Sequence, residues 1–216
     1  ASFEATDAAG KTKTKYRGEP NWFKAKAFWA DLDCGKDKAD SGKGYLTKLD
    51  ACRAILEFCH TYGFSTPLIV DSGGGIHCYW PLDRAIGPKS WRTIASGFKA
   101  ALAGAGLIVD PTRTADLSSV LRPVGSHNRK PGRDARLVKA KTAPCYTSPE
   151  SFAASVTNAV NSLQVTPARI TSAPDINDDL TAHLAPKIES SARMVAEHCG
   201  QVALMRDTQG DVDYET

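Results

Sequence analysis

The run Phe28-Trp-Ala-Asp-Leu-Asp33 sets two carboxylates two residues apart at the end of an apolar stretch. On a strand such residues share a face, with Cβ atoms roughly 6–7 Å apart. Like charges that close are unfavourable on an apolar strand unless a cation neutralises them. Carboxylate oxygens are hard ligands, suited to Mg²⁺ or Mn²⁺ rather than Zn²⁺. A solvated strand edge would scatter its acids among Lys and Thr. Here a core run leads straight into the pair, which favours a metal. Asp110 ends a second apolar run, Leu107-Ile-Val109, and is the expected third ligand. Asp116, in Thr-Ala-Asp-Leu-Ser-Ser, competes with it and would equally serve as a cap.

A second chemical signal is Ser72-Gly-Gly-Gly-Ile-His77. Ser72, Gly73 and Gly74 open a loop whose backbone N–H groups and hydroxyl could cradle phosphate oxygens. His77 then falls on the same strand face as a phosphate contact. Gly triplets on their own usually mean only a turn. No Walker A spacing occurs anywhere in the chain, so a P-loop is excluded. The third signal is basic. Arg122, His127, Asn128, Arg129 and Lys130 lie in Val120-Leu-Arg-Pro-Val-Gly-Ser-His-Asn-Arg-Lys130, and Arg133, Arg136, Lys139 and Lys141 follow. Such a patch is the footprint of a triphosphate or a nucleic-acid backbone, although a basic loop can be merely solvated.

The bulk properties agree with a nucleotide or nucleic-acid partner. The 216 residues are 42% hydrophobic and carry a net charge of +3. Residues 172–216 carry −6, which leaves +9 for the remainder. No apolar run approaches the 18 residues of a membrane span. The six cysteines form no C-x-x-C pair, which argues against a zinc ribbon or thioredoxin motif and for reduced, mostly buried thiols.

These groups need elements to position them. Residues 1–24 read as a loosely held basic arm. Lys26–Asp33 reads as a strand with Phe28, Ala30 and Leu32 on one face and Trp29, Asp31 and Asp33 on the other. Cys34–Tyr45 reads as a loop. Thr47, with Asp50 three residues on, caps a helix bearing Leu49, Cys52, Ile55, Leu56 and Cys59, stopped by Gly63. Pro67–Val70 and Ile76–Trp80 read as strands. Pro88–Ala103 reads as a helix with Trp91, Ile94, Phe98 and Leu102 inward. Leu107–Val109 and Ser118–Arg122 read as further strands, and Ser148 caps a helix running to Leu163. The order β-α-β-β-α-β predicts an α+β, RRM-like (ferredoxin-like, split βαβ) core. In that fold the first strand lies between the third and fourth, so Asp31 and Asp33 fall between His77 and Asp110. Added to this core are the N-terminal arm and C-terminal helices.

The three segments Ala30-Asp-Leu-Asp-Cys-Gly35, Ser72–Trp80 and Leu107–Asp110 with its basic sequel, taken in order, resemble the archaeo-eukaryotic primase superfamily. They look most like its phage- and plasmid-type primase-polymerases. The likeness spans residues 22–140. It implies that Asp31, Asp33 and Asp110 are catalytic and hold two Mg²⁺ or Mn²⁺ ions. It also implies that Ser72, Gly73, Gly74, His77, Arg122, Asn128 and Lys130 bind nucleotide. Family members often carry Arg or Lys in the glycine loop. This chain does not, which shifts the triphosphate onto main chain and Arg122.

The implied activity is that of a DNA primase and DNA-directed DNA polymerase, a metal-dependent nucleotidyltransferase extending primers on single-stranded template. Its implied partners are single-stranded DNA, a primer end, nucleoside triphosphates and a helicase domain of the same full-length protein. Its implied place is the cytoplasm, that of the host if phage- or plasmid-borne. The expected organisation is a catalytic domain at 1–165, a linker at 166–180 and a helical accessory segment at 181–216, cut from a longer protein. The alternative is an RRM-like single-stranded nucleic-acid binding module without catalysis, using Trp29 and Tyr79 as stacking platforms. A rolling-circle relaxase would need two strand His residues spaced by one hydrophobe, and His77-Cys-Tyr-Trp80 lacks them.

Overall fold

The computed structural model describes residues 3–6, 10, 12–15, 22–130 and 134–167. The accessory segment expected at 181–216, all but the first two residues of the linker at 166–180, and Arg133 lie outside the described residues.

The N-terminal stretch contains a hairpin where an irregular arm was expected. Its strands are β1 (Phe3–Thr6) and β2 (Thr12–Lys15), paired antiparallel from Phe3↔Lys15 to Thr6↔Thr12. The alternating Thr residues of β2 favour that pairing. The main sheet begins with β3 (Ala25–Asp33), whose Phe28, Ala30 and Leu32 are fully buried. The expected loop after it contains a short helix, α1 (Lys36–Asp40), in which Lys36 and Asp40 pair at 2.7 Å. That i,i+4 spacing joins charges one turn apart.

Helix α2 (Lys48–Tyr62) starts as its sequence dictates. Thr47 Oγ1 accepts from the Asp50 N–H at 3.1 Å, and Gly63 closes the helix in the left-handed region at φ 77°. Its buried face is rotated from the expected one. Ala51, Ile55, Phe58 and Cys59 face inward, whereas Leu49 is 58% exposed and Leu56 39%. The Phe58 ring decides this, since it packs against Tyr62, Phe64 and Phe98 with centroids 5.0–6.3 Å away.

Strands β4 (Leu68–Asp71) and β5 (Gly75–Ile86) follow, then α3 (Pro88–Gly104), which buries Trp91, Ala95, Phe98, Ala101 and Leu102. Three two-residue strands come next: β6 (His127–Asn128), β7 (Arg136–Leu137) and β8 (Lys139–Ala140). Helix α4 (Pro149–Leu163) closes the described chain, with Ser148 Oγ accepting from the Ser151 N–H at 3.0 Å.

The sheet runs β3-β5-β4-β8, antiparallel throughout, and β6 pairs with β7 separately. Aromatic side chains fill the space between one sheet face and the helices. Phe28 stacks on Phe152 at 4.3 Å and on Trp91 at 5.6 Å, and Trp80 meets Phe98 at 5.0 Å. The class is therefore α+β, with an antiparallel sheet whose second face carries the polar residues of β3 and β5.

Two expected strands do not form. Leu107–Asp110 runs beside β3 without a ladder. The Ile108 N–H goes to the Tyr45 hydroxyl at 3.1 Å, and only the Asp110 N–H reaches β3, donating to Asp31 O at 2.8 Å. Pro111 then ends the extension, having no N–H to offer. Ser118–Arg122 is not a strand because Asp116 captures its start in a turn. Asp116 Oδ1 accepts from Ser118 N and Oγ at 2.8 and 2.7 Å, and Oδ2 accepts from Ser119 Oγ at 2.9 Å. Among the described residues no helix is long and apolar enough to cross a membrane.

Candidate active site

Strand register builds the site. Trp29, Asp31 and Asp33 of β3 stand opposite Tyr79, His77 and Gly75 of β5. Residues directly opposite in an antiparallel pair share a face, so both acids, His77 and Tyr79 share one surface. The approach at Gly75 is close. A Cβ there would stand 2.2 Å from Leu32 O, so only glycine lets β5 begin beside Asp33.

His77 is buried, with Nε2 3.8 Å from Asp31 Oδ1 and Nδ1 3.4 Å from the Tyr79 hydroxyl. Burial, aided by the Arg122 cation and opposed by Asp33, lowers its pKa to about 4. The ring is therefore neutral at pH 7. Asp31 is pushed the other way, up to about 6, by burial first and then by Asp33 and Asp110, with Arg113 and Arg122 offsetting part of the effect. At neutral pH an ionised Asp31 thus faces a neutral imidazole, and the two do not form an ion pair.

Asp110 stands next to Asp31 through the backbone bond that joins their segments. Its Oδ1 accepts from Thr112 N at 2.8 Å and Thr112 Oγ1 at 2.6 Å, while Oδ2 lies 3.8 Å from Arg113 Nε. Arg113 is held in turn, its carbonyl accepting from Trp29 Nε1 at 2.8 Å. Asp33 Oδ2 is gripped by Lys38 Nζ at 2.6 Å. Sequence reading missed both cations. Lys38 was hidden in a Lys/Asp-rich stretch, and Arg113 declares itself only by its position three residues after Asp110.

The glycine loop is a tight turn pinned from outside. Ser72 N donates to Gly75 O at 3.0 Å, Gly73 N donates to Asp71 Oδ1 at 2.9 Å, and Cys34 N donates to Gly74 O at 3.1 Å. The N–H groups of Ser72 and Gly73 are therefore spent within the turn. That makes the backbone cradle narrower than three glycines imply. Gly73 sits at φ 82°, and a Cβ on it would stand 2.9 Å from Arg136 Cβ.

The basic hairpin supplies the pins. Asn128 is buried and donates Nδ2–H to Ser72 O at 2.8 Å, and Arg136 Nη1 donates to Gly73 O at 2.9 Å. Arg122 and Lys130 are exposed. The charge of Arg122 is felt by both Asp31 and His77. Lys130 and Gly74 share a cleft of about 490 Å³ with Asp33, Cys34, Gly35, Lys36, Asp37 and Lys38.

The donor set suits a hard divalent ion. Three carboxylates from two segments lie near one another, close enough for Asp33 and Asp110 both to raise the pKa of Asp31. Among the described residues, however, no three His, Cys, Asp or Glu side chains stand ready around one point. Asp33 is turned to Lys38 and Asp110 to Thr112. The fit is therefore one of ligand chemistry and charge, not of a preformed geometry.

No family model matches the chain, and no curated protein matches it. Among solved structures, it is similar to the AEP domain of the cyanophage S-2L primase-polymerase (PrimPol). The two are 14% identical, with 70% of this chain and 85% of that one covered and a TM-score of 0.45.

Proposed function

We propose that the chain is a metal-dependent, template-directed nucleotidyltransferase. It acts as a DNA primase and DNA-directed DNA polymerase in DNA replication, on a ferredoxin-like core of the archaeo-eukaryotic primase type. The observation that carries this reading is the meeting of Asp31, Asp33 and His77 on one sheet face, with Asp110 bonded to the Asp31 backbone. Asp31, Asp33 and Asp110 would hold two Mg²⁺ or Mn²⁺ ions, which when bound activate a primer 3′-hydroxyl and offset charge on the departing pyrophosphate.

The remaining residues bind and position. His77 turns Nε2 to the site, 3.8 Å from Asp31 Oδ1, and Nδ1 to the Tyr79 hydroxyl; in the tautomer protonated on Nε2 the neutral ring would donate to a phosphate oxygen. Arg122 and Lys130 supply positive charge for the triphosphate. Ser72 and Gly74 set the loop under it, and Asn128 holds that loop in place. Catalysis then rests on positioning and charge neutralisation rather than on a protein nucleophile. The partners in this reading are single-stranded DNA, a primer end, nucleoside triphosphates and a helicase domain of a longer protein, in the cytoplasm.

The binding-module alternative needs Trp29 free for stacking. Its N–H is spent on Arg113 O and its ring lies 4.9 Å from Trp91, so no observation favours that alternative. The deciding experiment incubates the chain with single-stranded template, Mn²⁺ and labelled nucleotides without primer, and then with primer. Products in both define a primase-polymerase, and products only with primer define a polymerase. Binding without any product would overturn the reading.

A further inference from the structure

The loop over Asp33 is built closely. Asp33 O accepts from Tyr45 N at 2.9 Å, Lys38 N donates to Gly35 O at 3.0 Å, and Lys38 O accepts from Lys43 N at 2.9 Å. A Cβ on Gly44 would stand 2.4 Å from Asp33 O and 3.0 Å from Lys38 Cβ, so the loop folds over Asp33 only with glycine there. The Lys38 backbone is therefore fixed, and its four-carbon side chain is the part free to move. That side chain ends on Asp33 Oδ2 at 2.6 Å, at the lip of the cleft lined by Lys36, Gly74 and Lys130. The cleft volume, about 490 Å³, lies in the range of small-ligand sites.

We propose that Lys38 is an exchangeable counter-ion of this site. It neutralises Asp33 while no divalent ion is bound, and it turns to the triphosphate of an incoming nucleotide once the ion takes the carboxylate. The inference rests on the nucleotidyltransferase reading above and deepens it.

Two charge states follow. With Lys38 on Asp33, the pair is neutral and one expected ligand is engaged, which fits the lack of a ready three-carboxylate cluster among the described residues. With an ion on Asp33, the ammonium is released into a cleft that also carries Lys36, Lys130 and Asp37, where three lysines against the single remaining carboxylate favour an anion. Lys36 does not share this role, because it is paired with Asp40. The Lys38–Asp33 side chains are 41% and 31% exposed. A partly exposed pair of this kind contributes little to folding, so removing it leaves the fold intact.

The test compares wild type, Lys38→Gln, Lys38→Met and Lys36→Gln. Mn²⁺ affinity is read by electron paramagnetic resonance without nucleotide. Binding of a non-hydrolysable triphosphate is then read with Mn²⁺ present, and circular dichroism is recorded on the same samples. Both Lys38 variants should bind Mn²⁺ about 3- to 5-fold more tightly and the triphosphate about 10-fold more weakly. Lys36→Gln removes the same charge from the same cleft and should leave Mn²⁺ affinity unchanged. Unaltered or weaker Mn²⁺ binding in folded Lys38 variants overturns the proposal. So does an equal gain in Lys36→Gln, or an unaltered triphosphate affinity in the Lys38 variants. Asp31→Asn separates the two levels. If Mn²⁺ binding in wild type does not depend on Asp31, the nucleotidyltransferase reading itself falls; if it does, only the role of Lys38 is at stake.

Discussion

Asp31 and His77 face each other directly across β3 and β5, Oδ1 3.8 Å from Nε2, with charge on the carboxylate alone at neutral pH. A buried, neutral imidazole beside an anion is poised to donate outward rather than to titrate. His77→Ala should weaken nucleotide binding by about 10- to 100-fold, the loss of one charge-assisted donor. It should also lower the Tm, because a buried ring is lost. Affinity and Tm measured on one sample decide the role. Unchanged affinity with a large drop in Tm would make His77 a core residue.

Asp31→Asn should abolish extension and yet stabilise the metal-free protein at pH 7. A carboxyl raised from 3.8 to about 6 is most favourable to folding below pH 4, and that contribution is lost as pH rises through 6. At pH 7 the charged form costs about 2–3 kcal/mol, which an amide of the same shape avoids. Urea unfolding at pH 7 and pH 4 checks this, since the gain should vanish at the lower pH. Mn²⁺ should raise the Tm of wild type and not of the variant.

Much of this arrangement is legible in the sequence because it rests on period and punctuation. The alternation around Asp31, the Thr47 and Ser148 caps and the Gly63 stop are local signals, and the structure contains each of them. What the sequence hides depends on partners distant along the chain. The strand-like run Leu107–Asp110 loses its ladder to a hydroxyl on Tyr45, 63 residues away. The inward face of α2 is chosen by rings on other elements, against a Leu49–Leu56 stripe of equal period. Asn128 and Arg136 pin the glycine loop from 56 and 63 residues away, a relationship no spacing rule could reveal.

Asp71 gives the fold an acid-side pH dependence. Burial alone would raise its pKa, but the Lys48 ammonium at 2.5 Å and the Gly73 N–H hold it below its usual 3.8. A depressed carboxyl contributes stability that is present above pH 3.8 and is lost as pH falls through the lower folded value. Asp71→Asn should therefore cost about 1 kcal/mol at pH 6 and progressively less below pH 4. Urea midpoints for both proteins between pH 3 and 6 test the sign. A gap that widened on acidification would refute it.

Gly75→Ala should be among the most damaging single changes at the site. Its Cβ would meet the backbone oxygen of Leu32 at 2.2 Å, an atom that cannot swing aside, so β5 must withdraw from β3 just where Asp33 and Gly75 pair. A cost of about 3 kcal/mol or more is expected, with loss of the alignment between Asp31 and His77. Thermal unfolding and Mn²⁺ binding should both suffer. A normal Tm would show that the strands separate without penalty.

Asn128 separates holding the loop from touching the nucleotide. Its side chain is buried, Nδ2 donates to Ser72 O at 2.8 Å, and Oδ1 has no hydrogen-bond partner among the described residues. The amide donor is therefore the useful half of the group. Asn128→Ala removes that donor and leaves Ser72 O without it, at a cost of about 1–2 kcal/mol. Asn128→Asp keeps the shape but sets a carboxylate oxygen against a carbonyl oxygen in a buried position. It should cost more than the alanine change, about 3 kcal/mol or above at pH 7, and recover as acid protonates the new carboxyl. Were Asn128 chiefly a nucleotide contact, the two variants would lose affinity with little change in urea midpoint. Were it chiefly a clamp, stability would fall in the order wild type, Ala, Asp, and triphosphate affinity would fall in the same order as the Ser72 turn loosens. Parallel urea and nucleotide titrations of the three proteins at pH 7 and pH 5 distinguish these orders, and a more stable Asp variant would exclude the clamp.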